Sequence, residues 1–246
     1  MVASIWKDVS PDPNSPEVLR FRTNTLVKAR RSELITDRIA YICALASDKN
    51  VLDIGVVDHF SASSERAEWL HGHLCNYAVS CLGVDILEDE IQLLRDKSYN
   101  VLSWDITQGP LARTFDLIVI GDVVEHLGHP SALFSSVARM LSPGGRIVLT
   151  TPNPWYANAI IKNVFEGLPF TDNADHVAWF DAGTLCELAA RNGLHLDRYA
   201  GVMTKKASTA RASLFFTLSP FLIKLGIRPE FFAKTMVFEF VLPTSG

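Results

Sequence analysis

The sequence predicts an α/β protein, a mainly parallel sheet with helices on both faces, and three observations predict it. Short apolar runs rich in branched residues recur along the chain, the clearest being FDLIVI at 115–120, and read as strands buried on both faces. Segments of helical apolar spacing separate these runs. Acidic residues, Asp53, Asp85, Asp105 and Asp122, stand in or just beyond the ends of four of them. In an open α/β sheet, ligands sit in the crevice outside the carboxyl ends of the strands. The chain is therefore organised around 115–130, where Gly121, Asp122, Glu125 and His126 crowd the end of one strand.

At 246 residues the chain suits a single α/β domain with decorations. Lys plus Arg number 23 against 27 Asp plus Glu, a net charge of −4 that supplies no general pull toward nucleic acid. Cys43, Cys75, Cys81 and Cys186 form no CxxC pair and read as free thiols of a cytoplasmic protein. The N-terminus lacks a basic region followed by an apolar core, so no secretory signal is expected. The apolar stretch 214–225 is broken by Pro220 and is too short to span a bilayer.

Taken in order, residues 1–31 read as an N-terminal arm with a short helix from Pro16 and a basic segment at Lys28, Arg30 and Arg31. Residues 32–246 form the main domain. Leu34, Ile35, Ile39, Ile42 and Cys43 repeat at helical spacing and predict a helix over 33–46. NVLDIG (50–55) is the first strand, followed by an unusually long loop before the second at 79–85. Leu87, Ile91 and Leu94 mark a helix, and the third strand is 99–105. After 115–120, Ser131 opens a helix carrying Leu133, Val137 and Leu141, SPGG at 142–145 breaks it, and 146–151 is the fifth strand. Lid or acceptor segments are expected at about 152–181, closed by a helix cap at Asp181, and at 203–235. An aspartate ending a strand often only caps the next helix, but four along one rim are less easily explained so.

VLDIG, GVD, SWDI, FDLIVIGDVVEHL and LSPGGRIVLTTPNP, in this order over roughly 48–155, resemble the successive motifs of the class I S-adenosylmethionine-dependent methyltransferases. WLHG, EHL and DHVAWF together resemble, more loosely, methyltransferases found beside glycan-assembly enzymes. The resemblance implies a Rossmann-like seven-stranded sheet of order 3-2-1-4-5-7-6, with strands six and seven drawn from 193–202 and 236–242. It implies S-adenosyl-L-methionine as cofactor. Asp85, with Ile86 beside it, would receive the ribose hydroxyls, and Asp105 the adenine amino group with Ile106 against the ring. Asp53 and Gly55 would flank the methionine moiety, and Gly121 with Asp122 its ammonium end. The family's loop normally continues Gly-x-Gly; here Val56, Val57, Asp58 and His59 follow Gly55, so a different path is expected, with His59, Trp69, Leu70 and His71 around the cofactor.

Methyl transfer to a hydroxyl needs a base near the crevice. His126 and His176 are the candidates, His176 the better placed because it lies in the segment expected to form a lid. His71, His73 and Cys75 lack a second ligand pair at zinc-site spacing, so no metal is assigned. The expected activity is methyl transfer to an oxygen of a small molecule or glycan intermediate. The alternatives are a nicotinamide-dependent oxidoreductase, against which the missing G-x-G-x-x-G argues, and a non-catalytic binding protein with a decayed glycine loop. Residues 210–226 mix basic and apolar side chains and suit packing on the domain, a second copy in a homodimer, or a peripheral membrane contact.

Overall fold

The computed structural model describes residues 6–57, 66–166, 173–203, 217 and 219–243. Its strands are β1 (Asn50–Ile54), β2 (Ser80–Asp85), β3 (Val101–Ser103), β4 (Phe115–Gly121), β5 (Leu141–Pro152), β6 (His195–Val202) and β7 (Thr235–Val241). They form one seven-stranded sheet in the order β3-β2-β1-β4-β5-β7-β6. The pairs from β3 through β5 are parallel, and β7 runs antiparallel to both β5 and β6. This is the expected Rossmann-like order.

The helices are α1 (Pro16–Ala29), α2 (Arg38–Ala46), α3 (Leu70–Tyr77), α4 (Glu88–Asp96), α5 (Pro130–Met140), α6 (Ala157–Glu166) and α7 (Ala182–Arg191). Side chains alternate across a strand, so a sheet covered on both faces buries every residue of its central strands. In β4, Ile118 and Ile120 pack toward Phe134 and Val137 of α5 and Leu185 of α7. Leu117 and Val119 of the same strand pack the other way, with Ile42 and Cys43 of α2 and Leu74 of α3. Each such side chain contributes about 1.5–3 kcal/mol by leaving water.

The start of α2 differs from its expected place. Leu34 is not helical, and Ile35 bridges to β6, where its N–H donates to Gly201 O at 2.9 Å and its O accepts from the Met203 N–H at 2.8 Å. The Arg31 N–H likewise donates to Tyr199 O. The helix begins only where the Asp37 side chain caps the Ala40 N–H. α1, capped by Ser15, packs beside β6 and α7. Asp181 caps α7 in a box with Thr184, as expected.

The break between α5 and β5 is a bulge: Phe115 pairs with Leu141, but Leu117 already pairs with Arg146, so 142–145 loop out of the ladder. Among the described residues no helix is long and apolar enough to cross a membrane. The segment 210–226 falls mostly outside them in its first half, at 210–216 and 218; residues 219–224 are helical.

Gly83, inside β2, is closely approached by side chains from the loop after β1, from α3 and from β3. A Cβ there would stand 2.7 Å from His71 Cε1, 2.8 Å from Val56 Cγ1 and 2.9 Å from Val101 Cγ1. Val56 and Val57 turn inward against Trp69, Ile91, Leu94 and Val101, into space that the bare Gly83 leaves open. Gly83→Val should lower the midpoint of thermal unfolding by roughly 2–10 °C, the result of about 1–3 kcal/mol of overpacking. An unchanged midpoint would mean that these neighbours give way freely.

Candidate active site

The carboxyl ends of β1, β2 and β4 and the segments that follow them enclose an open cleft of about 740 Å³, a size typical of small-molecule and cofactor sites. Asp53, Gly55, Trp69, Asp85, Ile86, Asp105, Ile106, Gly121, Asp122, His126 and His176 all line it. His59 lies outside the described residues.

Asp85 ends β2 and ties the rim together. Its Oδ2 accepts from the Val57 N–H at 2.9 Å and its Oδ1 from the Leu87 N–H at 3.2 Å. Burial raises its pKa, and these backbone donors pull against that rise. Two carboxylate oxygens offer about four lone-pair directions, so each keeps capacity for a further donor. Gly55 adopts φ +83, and a Cβ on it would meet Val123 Cγ2 at 2.3 Å, so only glycine fits here. Trp69 closes one wall, its indole N–H donating to Val56 O at 2.9 Å.

Asp105 accepts from the side chain of Thr107 at 2.6 Å and from its backbone N–H at 2.9 Å; these contacts, the hydroxyl foremost, hold its pKa below the usual carboxylate range. Ile106 beneath it is buried, whereas Ile86 presents an exposed apolar face to the cleft.

Asp53 is not directed to the cleft alone. It is buried, and its Oδ2 lies 3.0 Å from His71 Nδ1. Burial depresses the His71 pKa, but the Asp53 hydrogen bond and the adjoining Cys75 outweigh it and lift the imidazole to about 9. The Cys75 and Cys81 thiols complete a small internal cluster with His71, at 3.5 Å from Nε2 and 3.8 Å from Nδ1 respectively. His73, two residues beyond His71, stands apart from the cluster and bonds Ala67 O.

Arg38, which sequence reasoning missed, opens α2 and reaches the end of β4. Its Nη1 donates to Asp122 Oδ2 at 2.5 Å, and Asp122 Oδ1 accepts from the Thr150 hydroxyl at 3.0 Å. Asp122 itself holds the left-handed region, at φ +53. Nothing in the spacing of Arg38 signalled this contact across 84 residues; only its place at a helix N-terminus beside the sheet produces it.

At the far end, Glu125 and His126 form a short 3-10 turn, Val124–His126, and the turn holds the segment bearing His176. Glu125 O accepts from the Val177 N–H at 2.9 Å and the Ala178 N–H at 3.3 Å. The rings of His126 and His176 meet edge to face with centroids 4.8 Å apart. His126 Nδ1 lies 2.9 Å from Asp175 Oδ2. The Glu125 carboxyl is buried, and its Oε2 accepts from the Thr151 hydroxyl at 3.0 Å. Burial, then the nearby Asp122 charge, pushes its pKa up to about 7. The cleft thus has two ends: one with paired ionic and hydroxyl-accepting groups, the other with imidazoles and a buried carboxyl suited to holding or moving a proton.

A family model described as a methyltransferase domain matches residues 27–199. A curated protein of Mycolicibacterium smegmatis, described as a probable S-adenosylmethionine-dependent methyltransferase, is 27% identical over 179 residues, which cover 70% of this chain and 61% of that protein. The match thus spans less than two thirds of that relative's length. A SAM-dependent methyltransferase structure from Archaeoglobus fulgidus superposes with a TM-score of 0.55 at 19% identity, over 82% of this chain and 89% of that one. Magnesium protoporphyrin IX methyltransferase from Synechocystis, solved with S-adenosylhomocysteine bound, gives 0.55 at 16% identity, over 97% and 93%. At such identities these two structures speak to the fold.

Proposed function

This chain belongs to the methyltransferase-domain family, and from that premise we propose that it transfers a methyl group from S-adenosyl-L-methionine to an oxygen of a small molecule or glycan intermediate. The observation that carries the reading is Asp85, a half-buried carboxylate at the end of β2, held by a backbone donor on each oxygen and still able to accept two adjacent ribose hydroxyls. Asp105 and the Ile86–Ile106 pair suit an adenine, one as acceptor for its amino group and the others as apolar contacts for its ring. Gly121, where a Cβ would meet only Leu70 Cδ2 at 3.8 Å, leaves room for close backbone approach. Arg38 and Asp122 set a cation beside an anion, the complement of an amino acid's carboxylate and ammonium. The cofactor, when bound, supplies a methyl group on a positively charged sulfur, open to in-line displacement.

The acceptor then lies at the Glu125, His126 and His176 end, beside the 152–181 segment that carries His176. In this reading His176, whose ring is held between those of His126 and Trp179, takes the hydroxyl proton as the new O–C bond forms, and His126 on the cleft wall helps hold the acceptor in line. Calorimetry with S-adenosylhomocysteine and, separately, NAD tests the proposal. Binding of the first alone is expected; binding of NAD alone, or of neither, would overturn it.

Arg38→Ala should weaken S-adenosylhomocysteine about tenfold, the worth of a charged hydrogen bond of about 1.5 kcal/mol. Titration calorimetry reads it directly, and an unchanged affinity would remove Arg38 from the ligand's amino acid end.

A further inference from the structure

We propose that Glu125, His126 and His176 form a site for a divalent transition cation at the acceptor end of the cleft, with open coordination positions that take the acceptor's hydroxyl. The proposal rests on the methyl-transfer reading only for what fills those open positions. The spacing of the sequence motifs did not indicate it, because His176 follows His126 by fifty residues.

One ligand atom from each of the three side chains lies within 4.8 Å of the others, a separation that closes around an ion with shifts of about an ångström. Glu125 is 1% exposed and lines the cleft, and its Oε1 has no hydrogen-bond partner among the described residues. A buried carboxylate oxygen without a partner is costly, a cost that a bound cation removes. Asp175 Oδ2 lies 2.9 Å from Nδ1 of His126, the carboxylate–histidine arrangement that orients metal-binding imidazoles. The backbone bonds from Val177 and Ala178 to Glu125 O fix the two contributing segments to each other, so the ligand set is organised before any ion arrives.

Two imidazoles and one carboxylate suit Mn²⁺, Fe²⁺, Co²⁺ or Zn²⁺ better than the harder Mg²⁺ or Ca²⁺. Three protein ligands leave positions for substrate oxygen, and a coordinated hydroxyl loses its proton to solvent more readily, so that with the cation bound His176 serves as a ligand and not as the proton acceptor. The cation would thus favour oxygen acceptors, above all those with two adjacent hydroxyls able to chelate.

The test is titration of chelator-treated protein with Mn²⁺, read by loss of the free-ion electron paramagnetic resonance signal. Mn²⁺ is chosen because the separate His71, Cys75 and Cys81 cluster offers thiols, which prefer softer ions. One Mn²⁺ per chain is expected, with affinity falling at least tenfold in Glu125→Gln and in His176→Asn while both variants keep S-adenosylhomocysteine binding. No Mn²⁺ binding by the wild type, or equal binding by both variants, overturns the site. If either variant also loses S-adenosylhomocysteine, Asp175→Asn decides. Removing this exposed carboxylate should weaken Mn²⁺ roughly tenfold, and unchanged affinity overturns the proposal. S-adenosylhomocysteine binding without Mn²⁺ binding sinks the cation site alone; Mn²⁺ binding without S-adenosylhomocysteine binding sinks the methyl-transfer reading alone.

Discussion

Asp85→Ala is expected to raise the dissociation constant for S-adenosylhomocysteine about a hundredfold. The substitution removes the carboxylate proposed to accept the ribose hydroxyls, and in the same stroke strips acceptors from the Val57 and Leu87 N–H groups. Hydrogen bonds to a charged group are worth about 1.5–3 kcal/mol each, so losing two from the ligand costs about 3 kcal/mol, a factor near 100. Asp85→Asn should fall between, because an amide keeps one acceptor oxygen for the backbone and offers fewer lone pairs to the ligand. Titration calorimetry on both variants, with a thermal melt to confirm folding, checks the order. An Asp85→Ala protein that binds as tightly as the wild type would deny the carboxylate any part in ribose recognition.

His176→Ala is expected to lower turnover by about 10²–10⁴-fold, the usual contribution of a positioned base, while S-adenosylhomocysteine binding stays within a factor of about two. The imidazole lies against His126 and Trp179 at the end of the cleft away from the residues assigned to adenosine. Its loss therefore touches the acceptor and not the cofactor. The comparison is a kcat measured with saturating cofactor against an affinity measured without acceptor. Equal kcat in variant and wild type would retire His176 from the chemistry in either role, as proton acceptor or as cation ligand.

The strands were legible because burial on both faces leaves a largely apolar run, most clearly at 115–120. The helix over 33–46 was overextended for a physical reason. Leu34 and Ile35 are apolar because they lie against the outermost strand, Leu34 beside Gly201 and Ile35 bonded to its carbonyl, and a run of four residues cannot tell that role from a first helical turn. At the site, acids that end strands were readable because the sheet brings strand ends together. Contacts between distant segments were not. Arg38 meets Asp122, and His126 meets Asp175, only through tertiary packing. Gly83 lay in plain view in CLGVD, a glycine inside a strand and therefore a sign of close approach, yet its connection to the two valines after Gly55 needed coordinates. Glu125 was visible on the rim; that its Oε1 goes without a partner was not.

The residues before α2 also bear on how copies of this protein can meet. The carbonyls of Tyr199 and Gly201 on the outer side of β6 already accept from Arg31 and Ile35, so along that length the strand offers no template for another chain to continue the sheet. At the opposite border stands β3, three residues long, too short to nucleate lasting strand addition. Joining copies edge to edge through the sheet is thus discouraged at both borders, and contacts through helices and loops, which separate without unzipping backbone, are the easier route.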